Sequence, residues 1–238
     1  PPPVAGNLYY VSTSTGSDSR SAEEAKNPAT PWQTIGKALA SVADGDSVQV
    51  LFGIYNESNL TVDKAVQLFG NVIGIGTGSG AGTGVRPVIN GTTAGSDSAL
   101  FLINSPGVLF RNFQMEVDQL NIMHGIYAKQ GNYNNLRVLD SRIYSTGTGS
   151  LPCVKFNSYG IRLLDGSADS LIVKGTDIEP KVFTANCAFG RGIRIFGGGR
   201  LVAGGPAASD TNRIVGLYGV QLGDLAGSSV IENNTFLG

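Results

Sequence analysis

The chain has 238 residues, of which 34 are glycine, and its 17 Lys and Arg residues nearly balance its 18 Asp and Glu residues. This balance argues against the basic surface with which proteins bind nucleic acids or anionic membranes. No apolar run reaches the roughly 20 residues that a membrane-spanning helix needs. Charged residues make up only 15% of the chain, so Ser, Thr and Asn supply much of the polar surface, which favours a secreted or cell-surface protein.

The N-terminal region predicts a linker followed by a cap. Residues 1–8 open with three prolines and are predicted to form an extended linker, and residues 9–238 a single domain. Thr30 suits the N-cap of a helix, Pro31 its first turn, and Gln33 a capping box. Ile35, Leu39 and Val42 fall on one face, which predicts a helix over about residues 31–43 inside a cap that spans about residues 9–46.

Short strands follow from residue 47 onward, separated by Gly, Asn and Ser clusters. A tetrad of glycine, an aliphatic residue, any residue and an apolar residue occurs four times, at Gly125–Ala128, Gly160–Leu163, Gly192–Ile195 and Gly219–Leu222. The spacings of 35, 32 and 27 residues between these glycines indicate repeating coils. The Gly-rich stretch from Gly197 to Gly205 predicts that the third of these coils is irregular.

A nine-residue unit with apolar residues at its fourth and ninth places follows the tetrads. These residues are Val138 and Ile143, Val173 and Ile178, and Ile231 and Phe236, with an earlier copy at Phe110 and Met115.

Such repeats predict an all-β fold, a right-handed parallel β-helix or solenoid with a short N-terminal capping α-helix and coils over about residues 47–238. An immunoglobulin-like sandwich is the alternative, but it predicts alternating hairpins and no recurring tetrad. Since Ile231 to Gly238 falls inside a coil, we expect the parent chain to continue with further domains.

Six short motifs occur in order along the first 90 residues or so: Tyr9–Ser12, Gly16–Asp18, Pro31–Ile35, Gly45–Val48, Gly53–Glu57 and Arg86–Gly91. This ordered set resembles the opening of the pectin-lyase-like right-handed β-helix superfamily, especially its secreted bacterial members. The resemblance implies the fold and a carbohydrate-rich setting. It does not choose among the lyases, hydrolases, epimerases, adhesins and structural domains of that superfamily.

The third residue of each tetrad should point outward, because strand side chains alternate between faces. Tyr127, Arg162, Arg194 and Gln221 would then form one exterior row. Aromatic rings suit stacking against sugars, and arginine binds carboxylates through its bidentate fork. We therefore expect a glycan-binding row, against the alternative that any outward row is simply polar.

A catalytic alternative follows from the same resemblance, because lyases of this superfamily use carboxylate-bound calcium and a basic residue. Asp165, Asp169 and Asp177 are the candidate calcium ligands, and Lys174, Arg162 and Arg194 the candidate bases. The hydrolase branch is disfavoured because the paired aspartates are missing. His124, the sole histidine, is predicted to be a turn residue.

Two cysteines, Cys153 and Cys187, lie 34 residues apart, close to one coil. They should occupy nearly the same position on successive coils, within reach of a disulfide. Two separately buried thiols are the alternative.

The sequence thus favours a secreted or cell-surface module with a structural, adhesive or glycan-binding role, no catalytic centre and no cofactor. Its expected partners are a polysaccharide or a cell-surface glycan and further domains of its own chain. The alternative is a lyase acting on acidic polysaccharide, with calcium as its cofactor.

Overall fold

All strand pairs in the described part of the chain are parallel. The computed structural model describes residues 6–73, 84–91, 98–119, 121–130, 132–147, 154–166, 169–183, 185–223 and 228–237. None of the helices in these ranges is long and apolar enough to cross a membrane.

Sheet A has eight strands, and each strand pairs with the next one along the sheet. In spatial order they are β1 (Leu8–Val11), β2 (Ser47–Val50), β5 (Gln67–Gly70), β8 (Leu109–Arg111), β11 (Leu136–Leu139), β14 (Ser170–Lys174), β17 (Arg200–Gly204) and β19 (Val230–Glu232). Because β1 begins at Leu8 and pairs with β2, the sheet starts one residue inside the predicted linker.

The remaining strands form a second sheet whose two halves, sheets B and C, share the long strand β18 (Arg213–Leu222). Sheet B also contains β3 (Ile54–Tyr55), β6 (Val88–Asn90), β9 (Gln114–Val117), β12 (Arg142–Ser145), β15 (Asp177–Pro180) and β20 (Thr235–Leu237). Sheet C also contains β4 (Leu60–Val62), β7 (Ala99–Ile103), β10 (His124–Ala128), β13 (Val154–Leu164) and β16 (Ala188–Phe196).

The chain visits sheets A, B and C in turn, so each circuit adds one strand to each sheet. This order, repeated from β2 onward, is a solenoid-like architecture and is consistent with a β-helix. Hairpins, which the sandwich alternative requires, do not occur among the described strands.

The repeated apolar places of the sequence stack into inward columns. In sheet A, Phe110, Val138 and Val173 pair in register, and in sheet B, Met115, Ile143 and Ile178 do the same. The aliphatic tetrad residues form the sheet C column of Ile126, Ile161, Ile193 and Val220. The members of these columns are buried except at the C-terminal end, where Val220 is half-buried and Ile231 and Phe236 are exposed.

The first three tetrad glycines are required by close backbone approach. A Cβ atom at Gly125 would lie 2.6 Å from the carbonyl oxygen of Gly160, and one at Gly160 would lie 2.7 Å from that of Gly192. A Cβ atom at Gly192 would lie 2.7 Å from the carbonyl oxygen of Gly219. No side chain fits at these separations, which explains why the first three tetrads open with glycine; at Gly219 a Cβ atom would instead lie 2.7 Å from the ring of Phe236.

The coil after the third tetrad is irregular, as predicted, but the irregularity lies at a corner and its strands keep their register. β17 continues sheet A through the Gly-rich stretch, with Ala203 in register with Val173. The enlargement lies at the next corner, where Ala203 and Ile214 are 11 residues apart while Val173 and Ile178 are five apart. A 3-10 helix (Ala208–Asp210) occupies that corner.

The helix is shorter than predicted and begins later. α1 spans Ile35–Ser41, and its N-cap is Thr34, whose side chain accepts a hydrogen bond from the Lys37 amide. The predicted N-cap at Thr30 is wrong because Trp32 belongs to the sheet: its amide donates to Tyr10, and its carbonyl accepts from Ser12. The buried face includes Ile35 and Leu39 as expected.

Glu57 and Asp18, two acidic residues of the N-terminal motifs, accept hydrogen bonds from groups at the N-terminus of this helix. The Glu57 carboxylate accepts hydrogen bonds from the Ile35 and Gly36 amides, both at 2.8 Å. Asp18 accepts from the Thr34 amide at 3.0 Å and from its hydroxyl at 2.7 Å. Since the first amides of a helix have no partner within it, Glu57 fixes the helix to the first coil, and Asp18 holds the N-cap residue in place.

Two buried tyrosines give a matched test of the core. The Tyr133 hydroxyl is buried without a hydrogen-bond partner in the described part of the chain. The Tyr55 hydroxyl lies 2.9 Å from the Leu51 carbonyl. We predict that Tyr133→Phe raises the free energy of unfolding by about 1 kcal/mol and that Tyr55→Phe lowers it by about 1 kcal/mol, because only the latter removes a satisfied hydrogen bond. Urea unfolding measures both, and a loss of stability in Tyr133→Phe would contradict the assignment.

Candidate functional site

The predicted outward row exists on sheet C. Tyr127, Arg162, Arg194 and Gln221 pair in register on four successive strands. The adjacent tetrad residues of the same strands are the inward aliphatic column, so alternation turns this row to the exterior. The alignment of the four tetrads is thereby confirmed.

A second row lies beside the first and was missed from the sequence. The residue before each tetrad glycine also pairs in register, which places His124, Tyr159, Arg191 and Tyr218 on successive strands. The sequence does contain a signal for this row, because the residue before each of the four tetrad glycines is polar or aromatic. The assignment of His124 to a turn is wrong: it lies within β10 and is fully buried.

The two rows interlock through arginine and tyrosine side chains, which we call the arginine–tyrosine ladder: Tyr127, Tyr159, Arg162, Arg191, Arg194 and Tyr218.

Each arginine of the ladder lies over aromatic rings. The guanidinium carbon of Arg162 is 5.1 Å from the ring centroid of Tyr127 and 5.0 Å from that of Tyr159. Arg191 is 5.7 Å from Tyr159 and 5.3 Å from Tyr218. Arg194 is 5.7 Å from Tyr159, and 5.2 Å from the ring of Phe196. All six distances are within the roughly 6 Å over which a ring face attracts a cation.

Hydrogen bonds fix the orientation of these arginines. Arg194 Nη1 donates to the Tyr159 hydroxyl at 2.9 Å. Arg191 Nε donates to Gln221 Oε1 at 2.9 Å. Arg162 Nη1 lies 3.2 Å from Nε2 of His124. The ladder is therefore an ordered arrangement rather than a set of freely moving side chains.

Among the described residues, no acid compensates the positive charges of Arg162 and Arg194. Neither forms an ion pair with a carboxylate of the described residues, and the Nε of each is buried without a hydrogen-bond partner there. They occupy neighbouring strands in direct register. Because like charges on adjacent strands repel, this surface favours an external anion.

The exposed rings are not the ones that the sequence indicated. Tyr127 is only 3% exposed, because it lies beneath Arg162 and beside His124, so it supports the ladder and offers little surface to a sugar. Tyr218 is 52% exposed and Phe196 is 38% exposed. Stacking against a ligand is available at these two rings.

A cleft adjoins the ladder at Tyr127. It has a volume of about 400 Å³ and is lined by Leu102, Asn104, Tyr127, Lys129 and Gln130. Leu102 is the register partner of Tyr127 on β7, so the cleft continues the outward row toward the N-terminal coils. The exposed Lys129 adds a cation at its rim.

The residues of the catalytic alternative are not brought together. Lys174 lies on sheet A, where its Nζ forms an ion pair with Asp210 at 3.0 Å, while Arg162 and Arg194 lie on sheet C.

The three aspartates of that alternative do not lie together, because Asp177 is on a different sheet from the turn that holds Asp165 and Asp169. Asp177 belongs to sheet B, Asp165 follows β13, and Asp169 accepts a hydrogen bond from the Tyr133 amide. Among the described residues, no group of three His, Cys, Asp or Glu side chains is close enough to hold a metal ion. The calcium-site hypothesis therefore has no geometric support at these positions.

Cys187 is buried and disulfide-bonded. Cys153 lies outside the described residues, so its predicted pairing with Cys187 stays a prediction.

Sheet B carries a second group of charged side chains that sequence reasoning missed. The residues after three ninth-place apolar residues, Glu116, Tyr144 and Glu179, pair in register. Glu116 forms an ion pair with Lys181 at 2.6 Å, and Glu179 forms one with Arg213 at 2.9 Å.

Burial raises the pKa of Glu179 to about 7. Asp177 raises this pKa further, while Arg213 and Arg142 lower it. Burial also raises the pKa of Tyr144, to about 12. Glu179 is thus a carboxyl group that holds its proton close to neutral pH.

No protein-family model, curated protein or solved structure matches this chain. Its function must therefore be argued from the side chains described above.

The raised pKa of Glu179 predicts a pH-dependent stability. The folded protein retains this proton between pH 4.5, the ordinary pKa, and about 7, whereas the unfolded chain loses it. Glu179 therefore contributes fully to the free energy of unfolding below pH 4.5. This contribution, as much as about 3 kcal/mol, is lost as the pH rises to 7. Urea unfolding at about pH 5 and about pH 7 should show a smaller decrease in Glu179→Gln than in the wild type.

The exposed Glu232 provides the control, since Glu232→Gln should keep the wild-type pH dependence. Equal pH dependence in Glu179→Gln and the wild type would contradict the raised pKa.

Proposed function

We propose that this chain is a secreted or cell-surface module that binds an acidic glycan through the arginine–tyrosine ladder. The observation that carries the proposal is the pair of Arg162 and Arg194, in register on neighbouring strands, stacked on aromatic rings and without a carboxylate partner in the described part of the chain. An adhesive or structural role at a glycan-rich surface follows from such binding.

The chemistry of the ladder suits a sugar acid. Guanidinium groups bind carboxylates and sulfates with paired, directional hydrogen bonds. The exposed rings of Tyr218 and Phe196 offer apolar faces for the carbon-bound hydrogens of a pyranose ring. Because the rows run across strands, an extended glycan would contact several successive coils.

For the fold, we propose a right-handed parallel β-helix of the pectin-lyase-like kind. The ordered N-terminal motifs support this, and Glu57 and Asp18 have a structural reason to occur there, since they cap the helix. Right-handed winding is supported by the strong general preference of parallel crossover connections.

Secretion is supported by two features of this chain. Charged residues are few, at 15%. Cys187 is disulfide-bonded, and stable disulfides form in oxidising compartments outside the cytosol.

Calorimetry with alginate, pectate and the neutral glucan dextran tests the glycan-binding proposal. We expect binding to alginate or pectate, weakened by salt because charges are involved, and none to dextran. Arg194→Gln should lower the affinity at least about tenfold, the loss of one charge-assisted contact.

The matched control is Arg200→Gln, which removes the same charge from an exposed position on sheet A. Its affinity should stay within about twofold of the wild type. No binding by the wild type, or an equal loss in Arg200→Gln, would overturn the proposal.

Cleavage of an acidic polysaccharide is the second candidate, and Glu179 is the observation that favours it. A carboxyl with a pKa of about 7 is suited to general base chemistry near neutral pH. In such an elimination Glu179 would take the proton beside the sugar carboxyl, and the hydroxyl of Tyr144, its register neighbour, would protonate the leaving oxygen.

Ultraviolet absorbance of unsaturated products from alginate or pectate, with and without calcium, tests this candidate. If this candidate holds, the wild type and Glu232→Gln form the product and Glu179→Gln does not. An absence of product with the wild type would exclude the elimination on these polysaccharides.

A further inference from the structure

His124 occupies a defined place at the base of the ladder. It is fully buried in β10, and its ring centroid lies 4.7 Å from that of Tyr127 and 5.1 Å from that of Tyr159. Its Nε2 lies 3.2 Å from Nη1 of Arg162. On β7 its register partner is the small apolar Ala99.

The chemistry of this contact determines the proton on the imidazole. Every nitrogen of a guanidinium group is a donor, and arginine remains protonated in proteins. Nε2 of His124 must therefore be the acceptor, which leaves the proton on Nδ1 and makes the ring neutral.

The contact with His124 constrains the orientation of the Arg162 side chain. Arg162 lies over two tyrosine rings, and its Nε is buried without a hydrogen-bond partner among the described residues. Ring faces attract a cation but specify little about its rotation, whereas the directional bond to His124 defines which Nη group points inward. The other Nη group takes no part in that bond.

We propose that His124, as a neutral acceptor on Nε2, is the positioning residue that orients Arg162 for the carboxylate or sulfate of a bound glycan. This inference rests on the proposed glycan-binding function. Holding a long arginine side chain in its binding orientation removes part of the entropy cost of binding. His124 itself, being buried, does not touch the glycan.

The imidazole proton is measurable directly and without any glycan. His124 is the only histidine, so a long-range ¹H–¹⁵N correlation spectrum of the wild type contains one imidazole. We expect the Nδ1-protonated neutral tautomer at neutral pH. An Nε2-protonated ring or an imidazolium would overturn the proposal.

Two substitutions separate positioning from packing. His124→Gln keeps an oxygen able to accept from Arg162, and His124→Leu keeps bulk but has no acceptor. We expect the affinity for alginate or pectate, whichever the wild type binds, to fall about tenfold in His124→Leu and to stay within about threefold in His124→Gln. Thermal unfolding establishes that each variant is folded, and His124→Asn, whose amide is too short to reach Arg162, replaces His124→Leu if the latter does not fold.

The outcomes distinguish the two proposals. If the wild type binds none of the acidic glycans, the glycan-binding function fails while the spectrum still decides the tautomer. If the wild type binds and the acceptor-free variant binds equally well, the positioning role is overturned.

Discussion

Parallel register at the strand spacing of about 4.7 to 4.9 Å is the constraint on which this molecule depends. Once one coil is laid on the previous one in register, each position of the repeat meets the same position above and below. Inward positions then form apolar columns such as Met115, Ile143 and Ile178. The first three tetrad glycines follow from the same constraint, because their backbones approach too closely for a Cβ atom.

On the outer face of sheet C, the same parallel register brings like charges onto neighbouring strands. Like charges on adjacent strands of a sheet repel each other. Arg162 and Arg194 are register partners on neighbouring strands. Tyrosine faces offset part of the repulsion at about 0.5 to 2 kcal/mol each, so the pair is tolerated yet remains attractive to an anion.

Most of the fold could be predicted from the repeats in the sequence. Four tetrads and the paired apolar places were enough to align the coils, and the register of Tyr127, Arg162, Arg194 and Gln221 is confirmed. The helix start was misplaced because a capping pattern at Thr30 is local, whereas the pairing of Trp32 with the first strand is a tertiary contact. Local patterns do not reveal such competition.

Three of the six ladder residues, Tyr159, Arg191 and Tyr218, could not be predicted from the alternation of side chains along a strand. Tyr159 and Arg162 are three residues apart yet lie in adjacent outward rows, because Gly160 lies between them where the chain approaches its neighbour closely. A strict period of two would have turned one of them inward. The recurrence of polar or aromatic residues before the tetrad glycines was the available signal, and its meaning required the backbone.

Sheets B and C are built alike but differ in how their charges are compensated. On sheet B, Glu116 lies beside Lys181 and Glu179 beside Arg213, so each of these acidic groups already has a cation next to it. On sheet C, Arg162 and Arg194 have aromatic rings instead of acids as neighbours. A ligand gains most where charge is already ordered and not yet neutralised, because neither the ordering nor the breaking of an existing pair opposes binding. This difference favours sheet C over sheet B as the face for an anionic ligand.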